Sequence, residues 1–237
     1  MLELRRSADR GHFDFGWLET RHTFSFGEYS DRRFMGFRAL RVINDDRIAG
    51  GGGFPRHPHR DMEIVTWVLA GALTHEDSMG NGSVLRPGDL QRMSAGRGVV
   101  HSERNASPTE PLRLLQIWLL PATQGLAPGY EERHFGDAEL SGRLRLVASP
   151  DGADGSARIH QDVRLFVARL APGERAAHTL APGRCAWLQL AKGSVRLTCG
   201  DGATVDLDVG DGAALAEERA LAVECTSDAE LLLFDLA

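Results

Sequence analysis

Residues 65–74, Val-Thr-Trp-Val-Leu-Ala-Gly-Ala-Leu-Thr (VTWVLAGALT), return 122 residues later as WLQLAKGSVR at 187–196, with Gly71 aligned on Gly193. Each copy is an apolar run rich in Val, Leu and Trp, then a glycine, then a second short run, which is the pattern of two strands joined by a tight turn. The same offset carries Pro87-Gly88-Asp89 onto Val209-Gly210-Asp211, so two separate turns agree on one register. A closing apolar strand also recurs, at 114–119 and 231–236, after a loop of different length. Self-similarity on this scale marks two copies of one domain, because solenoid repeats run only to roughly 20–50 residues. The joint is expected in SPDGADGS at 149–156, where Pro, Asp and Gly mark turns. This gives domains at 1–148 and 149–237.

Outward from the repeat, further short apolar segments lie between Gly, Pro, Asp and Asn clusters, at 38–44, 63–70, 72–75, 89–93, 112–120, 163–170, 187–191, 194–198 and 230–236. No long segment has helical periodicity. Strands of this kind must hide one face against another sheet, so the expected class is all-β, a sandwich or barrel. The chain has 237 residues, 42% of them hydrophobic and 25% charged, an ordinary globular composition. A net charge of -6 with interspersed signs offers no basic stripe for direct nucleic-acid binding. The three cysteines, Cys185, Cys199 and Cys225, form no C-x-x-C pair and read as reduced, buried thiols. The N-terminus lacks the apolar core of a signal peptide, and the longest apolar runs are too short to span a bilayer. The expectation is a cytoplasmic protein.

The chemistry concentrates in two short segments. Phe54-Pro-Arg-His-Pro-His-Arg places His57 and His59 two apart, and Val99-Val-His-Ser-Glu does the same for His101 and Glu103. Alternate residues of a strand share a face, so each segment offers two donors to one side. Pro58 resists helix between the first pair, and β-branched neighbours favour a strand around the second. If the strands are neighbours, three imidazoles and a carboxylate converge on one divalent transition metal and leave coordination positions open. The repeat is an internal control: the offset maps the four positions onto Thr179, Ala181, Val223 and Cys225, so the second copy has no such set. The Asp-Gly run at the joint lacks the spacing of a calcium loop, and no Lys-Ser/Thr follows the glycines at 50–53 as a phosphate loop requires. The remaining histidines, His12, His22, His75, His134, His160 and His178, lack a partner at strand spacing and read as structural or surface residues, with His22 a candidate for a pocket wall.

Gly51-x5-His57-x-His59-x3-Glu63 with Gly71 resembles the first cupin motif, and Gly88 through His101-x3-Asn105 the second, although the spacing to Gly71 is one residue longer than usual. HPHRDMEIVTWVLAG, SAGRGVVHSE and GWLETRHTFSFGEYSDRRFMGFRALRVINDD resemble the pirin family in its bacterial bicupin branch, with similarity from about Gly11 to the end. The resemblance implies two tandem cupin jelly-roll barrels. It further implies that Glu103, and not Glu63, completes the ligand set of His57, His59 and His101, with Glu63 left as a supporting residue. Iron(II) is the expected ion, and manganese, nickel, copper or zinc suit the same donors. The activity implied is that of quercetin 2,3-dioxygenase, acting on a flavonol and O2, with Glu103 as general base. The same family also implies an alternative, a non-enzymatic, metal-dependent redox-sensing regulator that binds protein partners. Phe24, Phe37, Met93 and Trp118 are the candidate pocket wall, each with a plain core reading beside it.

Overall fold

The computed structural model describes residues 1–237, almost all of them in antiparallel strands and their connections, with one short α-helix at Asp137–Leu140. The protein is all-β, as the pattern of short apolar segments predicts, and it divides into two compact units. One comprises Gly11–His134 with Ala157–Gln161; the other comprises Met1–Arg10, Phe135–Ser156 and Asp162–Ala237. The chain therefore changes unit four times, and residues 1–10 and 135–148 belong with the C-terminal half. No helix is long and apolar enough to cross a membrane.

The first unit has two sheets. The larger runs Gly129–His134, Asp89–Ser94, Glu63–Ala70, Leu112–Leu119, Leu40–Ile48, Leu18–His22, Gly11–Asp14 in spatial order. The smaller runs Gly53–His59, Val99–Asn105, Leu73–Asp77, Gly82–Leu85. Glu63–Ala70 and Leu73–Asp77 thus belong to different sheets, and Gly71 is the corner between them. Its φ of +78° suits only glycine, and a Cβ there would lie 2.7 Å from the Pro111 carbonyl. The equivalent Gly193 has φ +74° and would place a Cβ 2.1 Å from the Asp228 carbonyl.

In the second unit the two strands expected at 187–191 and 194–198 are one bent strand, Cys185–Cys199, with register shifts around residues 190–195. The bend at Gly193 reorients the chain without ending its pairing, as a bulge does. This strand lies between Gly212–Leu215 and Ala220–Leu236, with Val163–Leu170 and Arg145–Ser149 beyond on one side and Leu2–Arg5 on the other. Its core is one contiguous cluster that includes Leu188, Leu190, Leu197, Ala213, Val223, Cys225 and Leu233. All three cysteines are free and buried.

Between the two sheets of the first unit, the apolar packing is instead split into two clusters. One holds Leu18, Ile48, Val68, Leu73, Leu85, Leu112 and Leu114, the other Ile64, Met93, Ala95 and Val99. What separates them is a row of directly paired residues crossing the larger sheet, His22, Asn44, Gln116, Thr66, Gln91 and Glu132, every one polar. Directly paired residues share a face. In the second unit the same pairing relations are filled by Phe166, Leu233, Leu188 and Ala213, standing where Asn44, Gln116, Thr66 and Gln91 stand.

Candidate metal and substrate site

The smaller sheet assembles the chemistry. Gly53–His59 pairs with Val99–Asn105 so that His57 lies opposite His101, and Val99–Asn105 pairs on its other side with Leu73–Asp77. A bulge in the first strand, between the levels of His101 and Glu103, puts Phe54 opposite Glu103. His57, His59 and His101 come together with their nearest ring nitrogens within 4.8 Å of one another. The ring centroids are 4.4 Å apart for His57 and His101 and 4.8 Å for the other two pairs. Glu103 lies on the wall of the same cavity as His57 and His59, but its carboxylate is turned into the larger sheet. Gln116 Nε2 donates to Glu103 Oε2 at 2.9 Å, and Thr66 Oγ1 lies 3.4 Å from Oε1.

The side-chain environment favours neutral imidazoles. Burial and the neighbouring His57 lower His59 to about 4, and burial together with His57, His59 and His75 lowers His101 to about 2. A backbone carbonyl only accepts, so the 2.7 Å contact between His57 Nδ1 and Pro55 O places the proton on Nδ1 and leaves the Nε2 lone pair available. Nε2 of His101 is buried and has no hydrogen-bond partner in the chain. A buried nitrogen without a partner among neutral imidazoles fits a divalent cation, and the absence of thiolates suits iron, manganese, nickel or copper as well as zinc. Burial raises Glu103 to about 7, against the hydrogen bonds from Gln116 and Thr66 and with a contribution from Asp46.

His75 is not a bystander. With Asp77 it forms a third pair of alternate residues, on the third strand, facing Glu103 and His101 respectively. It is fully buried, its Nδ1 is 3.5 Å from His101 Nδ1 and its Nε2 is 3.8 Å from Asp77 Oδ2. His75, His101 and Glu103 form a second group of donors within 4.8 Å of one another. The signal was present as His75-x-Asp77, a spacing overlooked when only imidazole and glutamate pairs are sought. Glu63 is buried away from the cluster, where Oε2 accepts from Ser94 Oγ at 2.9 Å and from the backbone N–H of His160 at 3.1 Å. His12, His134 and His178 contact Glu19, Asp89 and Asp235.

The cluster opens into a cavity of about 410 Å³ between the two sheets. Its walls are aromatic, Phe13, Phe15, Phe26, Phe54 and Trp118, and the inner face carries Thr20, His22, Asn44, Asp46, Glu103 and Gln116. Of the four expected wall residues only Trp118 lines it. Phe24 is 1% exposed, Met93 packs with Ile64, Ala95 and Val99, and Phe37 bridges to Leu40 in a turn. Of the phenylalanines that do line it, Phe13 lies on Gly11–Asp14 and Phe54 on Gly53–His59, strands too short and mixed to read from the sequence, while Phe15 and Phe26 lie in the connections that follow Gly11–Asp14 and Leu18–His22. In the second unit, pairing places Ala176 and His178 at the levels of His57 and His59, three residues away from the fixed offset, with Val223 and Cys225 in the core. A further group, Cys199, Asp201 and Glu218, lies at a turn there, where Glu218 accepts from the N-terminal ammonium and from Gly200 N.

Two tandem jelly-roll barrels with an imidazole cluster opening to an aromatic cavity in one of them define a metal-binding bicupin. Residues 3–119 match the family model described as Pirin, and residues 146–236 match the one described as Quercetinase C-terminal cupin domain. A protein of Escherichia coli O157:H7 named quercetin 2,3-dioxygenase is 48% identical over 236 residues, covering 100% of this chain and 99% of its own. The crystal structure of YhhW from Escherichia coli superposes with a TM-score of 0.94 at 47% identity, covering 100% of this chain and 98% of that one. That of the bacterial pirin YhhW in complex with nickel(II) gives 0.92 at 47%, with 100% and 99% covered. The chain belongs to the pirin family.

Proposed function

We propose that the protein is a metal-dependent dioxygenase of the quercetin 2,3-dioxygenase type, which opens a flavonol heterocycle with O2 and releases carbon monoxide. The observation that carries the reading is the cavity itself. The imidazoles of His57, His59 and His101 and a buried carboxylate sit at the inner end of an aromatic-walled space whose volume falls in the range of small-molecule sites. His57, His59, His101 and Glu103 would hold the metal, iron(II) being the ion expected, and a divalent ion there would polarise a bound hydroxyl and admit O2 chemistry. The nickel complex of YhhW and the donor set of this chain support a divalent metal.

The protein's own groups supply the rest. Phe54, Phe26 and Trp118 offer faces and edges to a flat ring system and keep water out. Glu103 is the group placed to take the proton of a flavonol hydroxyl: burial raises its carboxyl above the ordinary range, which strengthens it as a base, while a divalent ion beside it would favour the ionised form. Gln116 and Thr66 hold its carboxylate in place. The test is flavonol turnover with carbon monoxide detection on metal-reconstituted protein, with His101→Ala as control. Metal-dependent carbon monoxide that is lost in the variant is expected. If no metal-dependent product forms, the dioxygenase reading falls and a binding role for the metal takes its place.

A further inference from the structure

One feature of the cavity wall is not used by the metal site. Asp45 and Asp46 are adjacent, but they face opposite sides of the Leu40–Ile48 strand. Asp45 is gripped by Arg113, whose Nε and Nη2 donate to its two oxygens at 2.9 Å each. Asp46 points inward, is 3% exposed and lines the cavity; the hydroxyl of Thr20, the residue paired directly with it, lies beside its carboxyl, but its Oδ1 has no hydrogen-bond partner of ordinary geometry in the chain. Asn44, two residues earlier on the same face, is 5% exposed and its Oδ1 is likewise without a partner. Buried acceptors left in this condition are rare in folded proteins, and at a cavity wall they call for a donor that arrives with a ligand.

The rest of the lining restricts the ligand. It includes Glu28, Asp46 and Glu103 but no lysine or arginine, so away from the metal no side-chain cation is present to pair with a carboxylate or phosphate group. The aromatic walls select a flat apolar body. Asn44 pairs directly with Gln116, the residue that holds Glu103, so Asp46 stands one same-face step beyond the level of Glu103. Two strand residues rise about 7 Å, which is also about the separation of the two oxygens of 2,7-dihydroxynaphthalene.

We propose that Asp46, with Asn44 beside it, is a hydroxyl-recognition subsite that selects neutral aromatic ligands carrying a second hydroxyl about 7 Å from the one presented to Glu103. The inference rests on the reading of this cavity as the substrate site. It assigns to the chain's own carboxylate a preference for polyhydroxylated over singly hydroxylated rings, because a site with a buried acceptor rejects a ligand that leaves it unpaired.

The experiment is anaerobic titration of the full-length protein with 2,7-dihydroxynaphthalene and with 2-naphthol, read by calorimetry or tryptophan fluorescence. The diol is expected to bind at least about tenfold more tightly, and Asp46→Ala is expected to bring the two within about twofold while retaining 2-naphthol. Should the alanine variant misfold by circular dichroism, Asp46→Asn decides, since it keeps the shape and one weaker acceptor and is expected to lose part of the preference. Equal affinities in the wild type, absence of saturable binding by either compound, or a preference that survives both substitutions overturns the subsite. Carbon monoxide release is scored separately. A protein that prefers the diol through Asp46 but yields no carbon monoxide keeps the subsite and loses the dioxygenase reading, and the reverse result does the opposite.

Discussion

Replacing His75 with phenylalanine tests how far the metal site extends behind its ligands. The two Nδ1 atoms of His75 and His101 face each other at 3.5 Å, so one proton between them satisfies both rings. If that proton sits on His101, its Nε2 lone pair is directed at the cluster, His75 carries its own proton on Nε2, and that proton faces Asp77 Oδ2 at 3.8 Å. The order Asp77, His75, His101 is therefore a carboxylate–imidazole chain that sets the tautomer of a metal-facing nitrogen, the arrangement by which supporting residues raise ligand basicity. Phenylalanine keeps the ring that stacks on Tyr130 at 5.1 Å but removes the acceptor. Loss of such support typically weakens metal binding 10- to 100-fold. Because the contacts here are long, the lower end applies, about tenfold or ~1.4 kcal/mol. The assay is competition for nickel(II) or zinc(II) between apo-protein and a chromophoric chelator, with His75→Phe, Asp77→Asn and wild type side by side. Asp77→Asn should follow in the same direction with a smaller effect. Affinities within twofold of wild type for His75→Phe would show that His101 needs no partner and would refute the reasoning.

Other consequences are as direct. A carboxyl with a value near 7 is roughly half protonated at pH 7, about nine-tenths at pH 6 and about one-tenth at pH 8, so metal binding should release correspondingly more protons from wild type than from Glu103→Gln, read by calorimetry in buffers of different ionisation heat. Gln116→Leu removes the donor that favours the Glu103 carboxylate and should move the pH midpoint of metal loading upward; a midpoint unchanged or lowered would contradict the role given to Gln116. Against the desolvation of its burial, hydrogen bonds from His178 and Arg184 hold Asp235 below the ordinary carboxylate value, so its stabilisation is present above about pH 4 and is lost as pH falls through the folded-state value. The melting temperature of Asp235→Asn should accordingly lie below wild type at pH 7, with the gap closing in acid. Chelation with EDTA should leave the far-ultraviolet circular dichroism intact, because both units have apolar cores independent of the cluster.

The residues that carry local information made the fold readable. Gly71 and Gly193 announce the same corner twice, and the pairs His57/His59 and His101/Glu103 announce a shared face, because a strand has a side-chain period of two. What was hidden depends on register, which that period does not specify. Thr66 in EIVTWVLA and Gln116 in LRLLQIWL look like stray polar residues in apolar strands, Gln91 in DLQRMS is one polar residue among several, and only the pairing shows that they lie side by side with Asn44 under Glu103. The same limitation explains the second copy. A fixed offset cannot follow bulges, so Thr179 and Ala181 were matched to His57 and His59 where pairing places Ala176 and His178. Short mixed strands such as Gly11–Asp14, which brings Phe13 to the cavity, hold too few apolar residues to reveal a period.

The two units together show what the site asks of the scaffold. Where Leu188, Leu233, Ala213 and Phe166 meet in the second unit, apolar packing is continuous from one end of the barrel to the other. Where Thr66, Gln116, Gln91 and Asn44 occupy the same relations in the first, packing is interrupted, several polar atoms are buried, and Glu103 is held with its carboxyl far from its ordinary range. Buried polar groups lower stability unless each is paired, so a row of them is a cost that folding alone would not select. The first unit retains both apolar clusters on either side of the row, and these suffice to keep the barrel closed while its middle is given over to hydrogen bonding. The second unit, with the same topology and no such row, supplies the comparison: the barrel needs none of these polar residues to form, and their presence at one level of one copy, directly beneath three imidazoles, follows from what the cavity binds.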